Sequence, residues 1–158
     1  MPITLTTAFI NALKQNTNAP NVIIEIALDS GTRKFGFAMG GFSDVTPILK
    51  SVSSLQNKID AKSGYTTRGQ VTFTIVGRDN FKNIIRDEYL KNRRVLIKQG
   101  FTASGFAYTD YAAVFSGKIS EWSRKGDELT VTVADDLTEA SKKLPVENAA
   151  KTQYLSYQ

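Results

Sequence analysis

The sequence predicts a mainly β protein of the α+β class: an antiparallel β-barrel or sandwich with one flanking α-helix and a short N-terminal helix. Residues 71–76 alternate apolar and polar side chains, which is the pattern of a strand buried on one face. Residues 128–134 repeat the alternation and can pair with residues 111–122 across a two-residue turn. These strands put the barrel core at about residues 20–137.

The first predicted element is a short helix over residues 6–16. Thr7 can cap it, and Phe9, Ile10 and Leu13 fall on one face. Residues that favour turns then end the helix before the first strand.

A hairpin and a loop follow. Apolar residues alternate over 22–28, an Asp-Ser-Gly turn reverses the chain, and residues 32–38 return as the partner strand. Residues 36–47 are rich in glycine and phenylalanine and end at a proline, which predicts a loop or an irregular edge. Residues 48–60 alternate poorly, so we expect a long, weak strand in a solvated or edge position.

One longer helix is predicted over residues 80–92, flanking the sheet. Asp79 can cap it, and Phe81, Ile84 and Tyr89 fall at helical spacing on one stripe. A further strand is expected over 94–99.

The chain is expected to be a single domain over residues 1–158, because this length can bury a sizeable core without disulfides. Residues 138–158 form a tail without a strong pattern, and residues 137–143 could form one helical turn. No basic n-region precedes Lys14, and the apolar stretch there is too short to span a bilayer. We therefore expect a soluble protein, made in the cytoplasm, that does not insert into a membrane.

Composition narrows the possible chemistry. The chain has no histidine and no cysteine, so it lacks the commonest general base, the commonest metal ligand and the best thiol nucleophile. Asp135 and Asp136 are the obvious carboxylate pair, but neighbours on a strand point to opposite faces, and capping the next turn explains them as well. The glycines around residues 100–105 lack the lysine of a phosphate loop. We expect no cofactor, no metal and no enzymatic activity.

The net charge of +5 is unevenly distributed. Residues 61–100 carry nine basic and three acidic side chains, whereas residues 101–158 carry six and eight. A basic middle segment is compatible with three interpretations: binding to nucleic acid, a solvated basic face without a partner, or contact with the acidic flank of a second copy in a ring.

Two loops, 36–46 and 100–110, hold several aromatic residues and hardly any charge. Aromatic side chains flanked by glycine can contact a protein partner, although loops folded back over the barrel would read the same. Trp122 is predicted on the face of Lys118, where it suits an interface rim or a nucleic-acid stacking surface. The candidate subunit-interface residues are Phe37, Met39, Phe42, Phe101, Phe106, Tyr108 and Trp122.

Taken in order, the elements form a recognisable series. They are an opening helix at 3–13, a first strand at 20–26, a hairpin at 30–35, a central strand at 68–75, and a last hairpin of 114–122 and 129–136. This series resembles the tail hub and distal tail proteins of long-tailed bacteriophages, whose domain is related to the tail-tube β-barrel.

The resemblance implies a barrel of tail-tube type in a structural virion protein, located in the phage tail tip or baseplate and made in the host cytoplasm. It implies a homo-oligomeric ring of three or six copies that joins the tail tube protein to other tail-tip proteins. DNA would meet this ring only in transit through its channel. The family supplies no catalytic residues. Two alternatives stay open: a basic small-barrel protein that binds nucleic acid, and a carboxylate-dependent glycan hydrolase.

Overall fold

The computed structural model describes residues 5–15, 19–54, 57–59 and 66–135, and the structural statements below concern those ranges. In chain order they contain α1 (Thr7–Leu13), β1 (Ala19–Leu28), β2 (Gly31–Gly36), β3 (Val45–Thr46), β4 (Leu49–Val52), β5 (Asn57–Ile59), β6 (Thr66–Arg68), β7 (Val71–Val76), α2 (Arg78–Asp87), β8 (Arg94–Thr102), a one-turn 3-10 helix (Tyr108–Asp110), β9 (Ala112–Lys125) and β10 (Glu128–Asp135).

Eight strands form one sheet in the order β3-β2-β1-β8-β9-β10-β7-β4, and β5 pairs with β6 separately. Every neighbouring pair in the large sheet is antiparallel except β2 with β3, which is parallel over two residue pairs. The predicted mainly β class is confirmed. The predicted strand over 48–60 is wrong in extent, because β4 and β5 are separate strands that pair with different partners.

The two edges of this sheet lie on one short segment of chain. Thr46 in β3 pairs with β2, and Leu49 in β4 pairs with β7. Three residues span at most roughly 11 Å, so the two edge strands must approach one another there. The sheet therefore curls into a barrel that the chain itself closes.

The barrel interior is the main hydrophobic core. Inward residues from opposite walls share one buried cluster, for example Ile24 of β1, Phe73 of β7 and Ile119 of β9, all 0% exposed. Fully burying each such side chain contributes about 1.5–3 kcal/mol. We call the end that α2 covers the helix end, and the opposite end, where β1 begins and β8 stops, the loop end.

Helix α1 is shorter than predicted, and its cap and buried face differ. Thr6, not Thr7, is the cap, because its Oγ1 accepts a hydrogen bond from the Phe9 amide at 3.1 Å. Phe9 is buried with Ala12, whereas Ile10 and Leu13 are exposed. The predicted face was wrong because α1 lies on the outside of the barrel and buries only a narrow stripe.

Helix α2 begins and ends earlier than the predicted 80–92. Its cap position is Gly77, with φ +90°, and the carboxylate of Asp127, from the β9–β10 turn, accepts from the Arg78 amide at 2.5 Å. The predicted cap, Asp79, lies inside the first turn. The helix ends because Glu88 is extended and accepts hydrogen bonds from two amides of the β1–β2 turn, both at 3.1 Å.

These contacts hold the helix end together. Arg93 donates to both carboxylate oxygens of Asp29, which lowers the pKa of that carboxyl. The hydrogen bond from Ser30 lowers the pKa of Glu88 in the same way.

Neither described helix has the length and hydropathy needed to cross a membrane. The predicted turn over 137–143, the tail 138–158 and Asp136 lie outside the described residues.

Candidate assembly surface

A second hydrophobic cluster lies on the outer face of the barrel. Helix α1, residues 37–44 and residues 103–111 pack there over Ile23 of β1. Its rings meet mostly edge to face: Phe101 and Phe106 have centroids 5.9 Å apart, and Phe42 lies 5.5 Å from Tyr108. This arrangement is favourable beyond the area it buries. We call this set of side chains the outer cluster.

Buried Asn21 holds the two loops of the outer cluster together. Its side chain exchanges hydrogen bonds with the backbone of Ala38, at 3.2 and 3.3 Å, and donates to the Tyr111 hydroxyl at 3.2 Å. Burial raises the pKa of Tyr111, although the Asn21 hydrogen bond opposes the shift. Gly100 leaves room for this ring, because a Cβ there would lie 2.6 Å from it.

Charged groups fix Tyr108 at the edge of the outer cluster. Its hydroxyl donates to Glu25, which also forms an ion pair with Lys98 at 2.7 Å. The ammonium groups of Lys34 and Lys98 lie 4.2 and 4.3 Å from the centre of the Tyr108 ring. Lys34 also pairs with Asp44 and lowers the pKa of that carboxyl. The loop that contains Tyr108 is thus attached to the sheet through these partly buried charged side chains.

The structure divides the candidate interface residues into two groups. Four belong to the outer cluster: Phe106 is 8% exposed, and Phe42, Phe101 and Tyr108 are half-buried. The other three are solvent-exposed: Phe37 at 45%, Met39 at 46% and Trp122 at 42%.

Sequence reasoning missed Phe9 and Tyr111 of the outer cluster, and also Asn21, whose side chain hydrogen-bonds to Tyr111. Phe9 was assigned to a helix face without a partner. Gly100 was a usable signal for Tyr111, since a glycine within a strand often marks a close approach by another group.

Trp122 does not share the face of Lys118. The β9–β10 register shifts between Thr132 and Val133, so that Trp122 pairs with Val131 and Lys118 with Ala134. This bulge places Trp122 on the core-facing side of the sheet. Trp122 remains exposed because β8 begins opposite Lys118. Residues 119–125 of β9 therefore extend beyond the first residue of β8.

An apolar cavity of 270 Å³ opens at the loop end of the barrel. It lies between two walls, with Val22 and Gln99 on one side and Val52 and Val71 on the other, and Val114 also lines it. Exposed Phe37 lies at this cavity, and Met39 is two residues further along the chain. Two more exposed apolar side chains, Ile10 and Leu13, belong to α1.

The described residues contain no group of three or more acidic side chains placed to hold a metal ion. Asp135 is buried, 5% exposed, and is not among the residues lining the loop-end cavity.

Charged residues of both signs occur at both ends of the barrel. At the helix end, residues 78–94 carry six basic and three acidic side chains, and residues 121–128 carry two basic and three acidic. At the loop end, residues 37–44 and 103–111 carry two aspartates, and β5 and β6, between β4 and β7 in the chain, contain Lys58 and Arg68.

Comparison with known proteins shows a likeness of fold to a solved structure. No protein-family model matches the sequence, and no curated protein matches it. The fold is similar to that of a chain in a solved structure described as the virion of a native gene transfer agent particle, with a TM-score of 0.62 and 11% sequence identity. The match covers 88% of this chain and 48% of that chain. At this identity the likeness shows a shared fold, and this chain spans about half of its neighbour.

Proposed function

We propose that this chain is a structural protein of a phage-like particle, and that it forms a ring in the tail tip or baseplate as a distal tail or hub subunit. The fold likeness to a chain of a gene transfer agent virion carries the proposal. The series of strands and hairpins that resembles phage distal tail and hub proteins points to the same class.

The composition and surface support a structural role over an enzymatic one. The chain has no histidine or cysteine, and buried Asp135 is not among the residues that line the loop-end cavity. Within the described ranges, the large apolar side chains that are exposed are Leu5, Ile10, Leu13, Phe37, Met39, Tyr89 and Trp122. Scattered single apolar residues are ordinary, but Phe37 beside an apolar cavity is typical of an interaction surface.

A ring follows if the contact is heterologous, meaning that one patch meets a different patch on the next copy. Such a ring, of three or six copies, would join the tail tube protein to the other tail-tip proteins and let DNA pass through its channel. In this proposal the protein is made in the host cytoplasm and ends in the virion.

Electron microscopy of the concentrated protein tests the proposal. Closed rings of one size with a central opening are expected. Uniform single-copy particles at every concentration, whether or not salt is added, would count against self-assembly into a ring.

One observation favours a second candidate, a nucleic-acid-binding barrel. Trp122 is exposed on the same hairpin as Arg124 and Lys125, and an aromatic ring beside basic groups can stack on a base. Binding to single-stranded DNA that weakens steeply with salt would support this candidate, because phosphate contacts release counterions.

A further inference from the structure

We propose that copies of this chain associate head to tail, with Trp122 of one copy inserted into the loop-end cavity of the next. The inference rests on the proposed self-assembly and names the two surfaces that would carry it.

The two surfaces are at opposite ends of one strand. Val114, in the cavity wall, and Trp122 are eight residues apart on β9. At about 3.3 Å per residue they are about 26 Å apart. A chain therefore cannot place its own Trp122 in its own cavity, and the contact has to join two copies.

The cavity fits an indole in size and character. Its volume is 270 Å³, and its lining is mainly valine, isoleucine and phenylalanine. An apolar cavity of about 150 Å³ already holds benzene, so a larger tryptophan ring can enter. Phe37 at the cavity provides an aromatic partner. The lining also includes Ser53 and Gln99, whose side-chain oxygens can accept a hydrogen bond from an indole N–H.

The position of Trp122 also fits. The bulge at residue 120 turns its side chain to the core-facing side of the sheet, and the side chain is 42% exposed. Tryptophan is enriched among the residues that carry most of an interface's binding energy.

The head-to-tail orientation follows from the positions of the two surfaces at opposite ends of the barrel. A contact between two different ends is heterologous, so repetition gives a ring or a stack.

The test uses the protein's single tryptophan as a probe. In the wild-type protein, Trp122 fluorescence should shift to shorter wavelength as concentration rises, together with the mass measured by light scattering. W122A should raise the concentration for half-assembly by at least about 30-fold, the usual loss at a central interface tryptophan. Tyr89→Ala is the matched control, because Tyr89 is 67% exposed at the same end and should leave assembly unchanged.

A second variant, Val114→Phe, fills the cavity from its wall and should also prevent assembly. Val52→Phe fills it from the opposite wall if the first variant fails to fold. W122A keeps an intact cavity and Val114→Phe keeps an intact tryptophan, so an equimolar mixture should form heterodimers and nothing larger. In the mixture, the fluorescence of the remaining Trp122 should again shift to shorter wavelength.

Three outcomes would overturn the inference. One is wild-type fluorescence that does not change with concentration. Another is normal rings formed by W122A, which would leave the structural role intact and place the contact elsewhere. The third is loss of assembly in Val114→Phe but not in W122A, which would mean that the cavity receives a different group.

Discussion

Replacing Phe106 by alanine separates packing from partner binding in the aromatic loops. Phe106 is 8% exposed, and its ring centre lies 5.3 Å from that of Tyr111, 5.9 Å from Phe101 and 6.2 Å from Phe9. In this position the side chain stabilises the monomer, so its removal should weaken the fold before it affects any contact between copies.

The size of the effect follows from burial. Phenylalanine-to-alanine changes in cores cost about 3–5 kcal/mol. The outer cluster lies near the surface and can partly relax, so we expect a loss of about 3 kcal/mol in the free energy of unfolding. With a urea m-value of about 2 kcal/mol/M, the unfolding midpoint should fall by about 1.5 M.

The assay is urea unfolding followed by circular dichroism, with Phe37→Ala as the control. Phe37 is 45% exposed, and its truncation should cost less than about 1 kcal/mol while weakening association. A Phe106→Ala variant that unfolds like the wild type but fails to associate would refute the packing argument and restore Phe106 as an interface residue.

Three further predictions concern the fold and its charges. Asn21→Ala should lower the free energy of unfolding by about 3 kcal/mol, because it leaves the amide and carbonyl of Ala38 without their buried partner. A urea unfolding midpoint within about 0.5 M of the wild-type value, which corresponds to a difference on the order of 1 kcal/mol, would contradict this. Gly117→Ala should lower the melting temperature sharply or prevent folding, because its Cβ would lie 2.2 Å from the Ala134 carbonyl oxygen, and a mild effect would show that β9 and β10 can separate there. The Arg93 hydrogen bonds hold the pKa of Asp29 below 3.8, so the stability that this carboxyl contributes is present above that pH and is lost as pH falls through the lowered pKa. Asp29→Asn should therefore reduce the loss of melting temperature on acidification. An acid profile identical to that of the wild type would contradict the assignment.

Residue patterns predicted the barrel well because each long strand buries one face. The alternation of residues 71–76 and 128–134 corresponds to β7 and β10, whose inward residues are buried in the structure. The two-residue turn at 126–127 was also readable, since Gly126 has the positive φ, +58°, that such a turn requires. These features depend on local pattern and turn chemistry, which the sequence carries directly.

The helix boundaries and the surface could not be read in the same way, because distant residues determine them. Helix α2 begins where Asp127 caps it and ends where Glu88 binds the β1–β2 turn, and both partners are remote in sequence. The face of Trp122 depends on a bulge that appears only in the pairing with β10. The outer cluster is formed by three segments that are separate in sequence. The sequences of its loops therefore did not indicate whether the loops contact a partner or pack on the barrel.

Light scattering across protein concentration, at low and at high salt, tests the central claim most directly. The proposed structural role predicts a discrete trimer or hexamer, or growth into larger rings or stacks, that persists at high salt because the contact has an apolar centre. A strict monomer at all concentrations, combined with DNA binding that disappears as salt rises, would contradict self-assembly and favour the nucleic-acid-binding barrel.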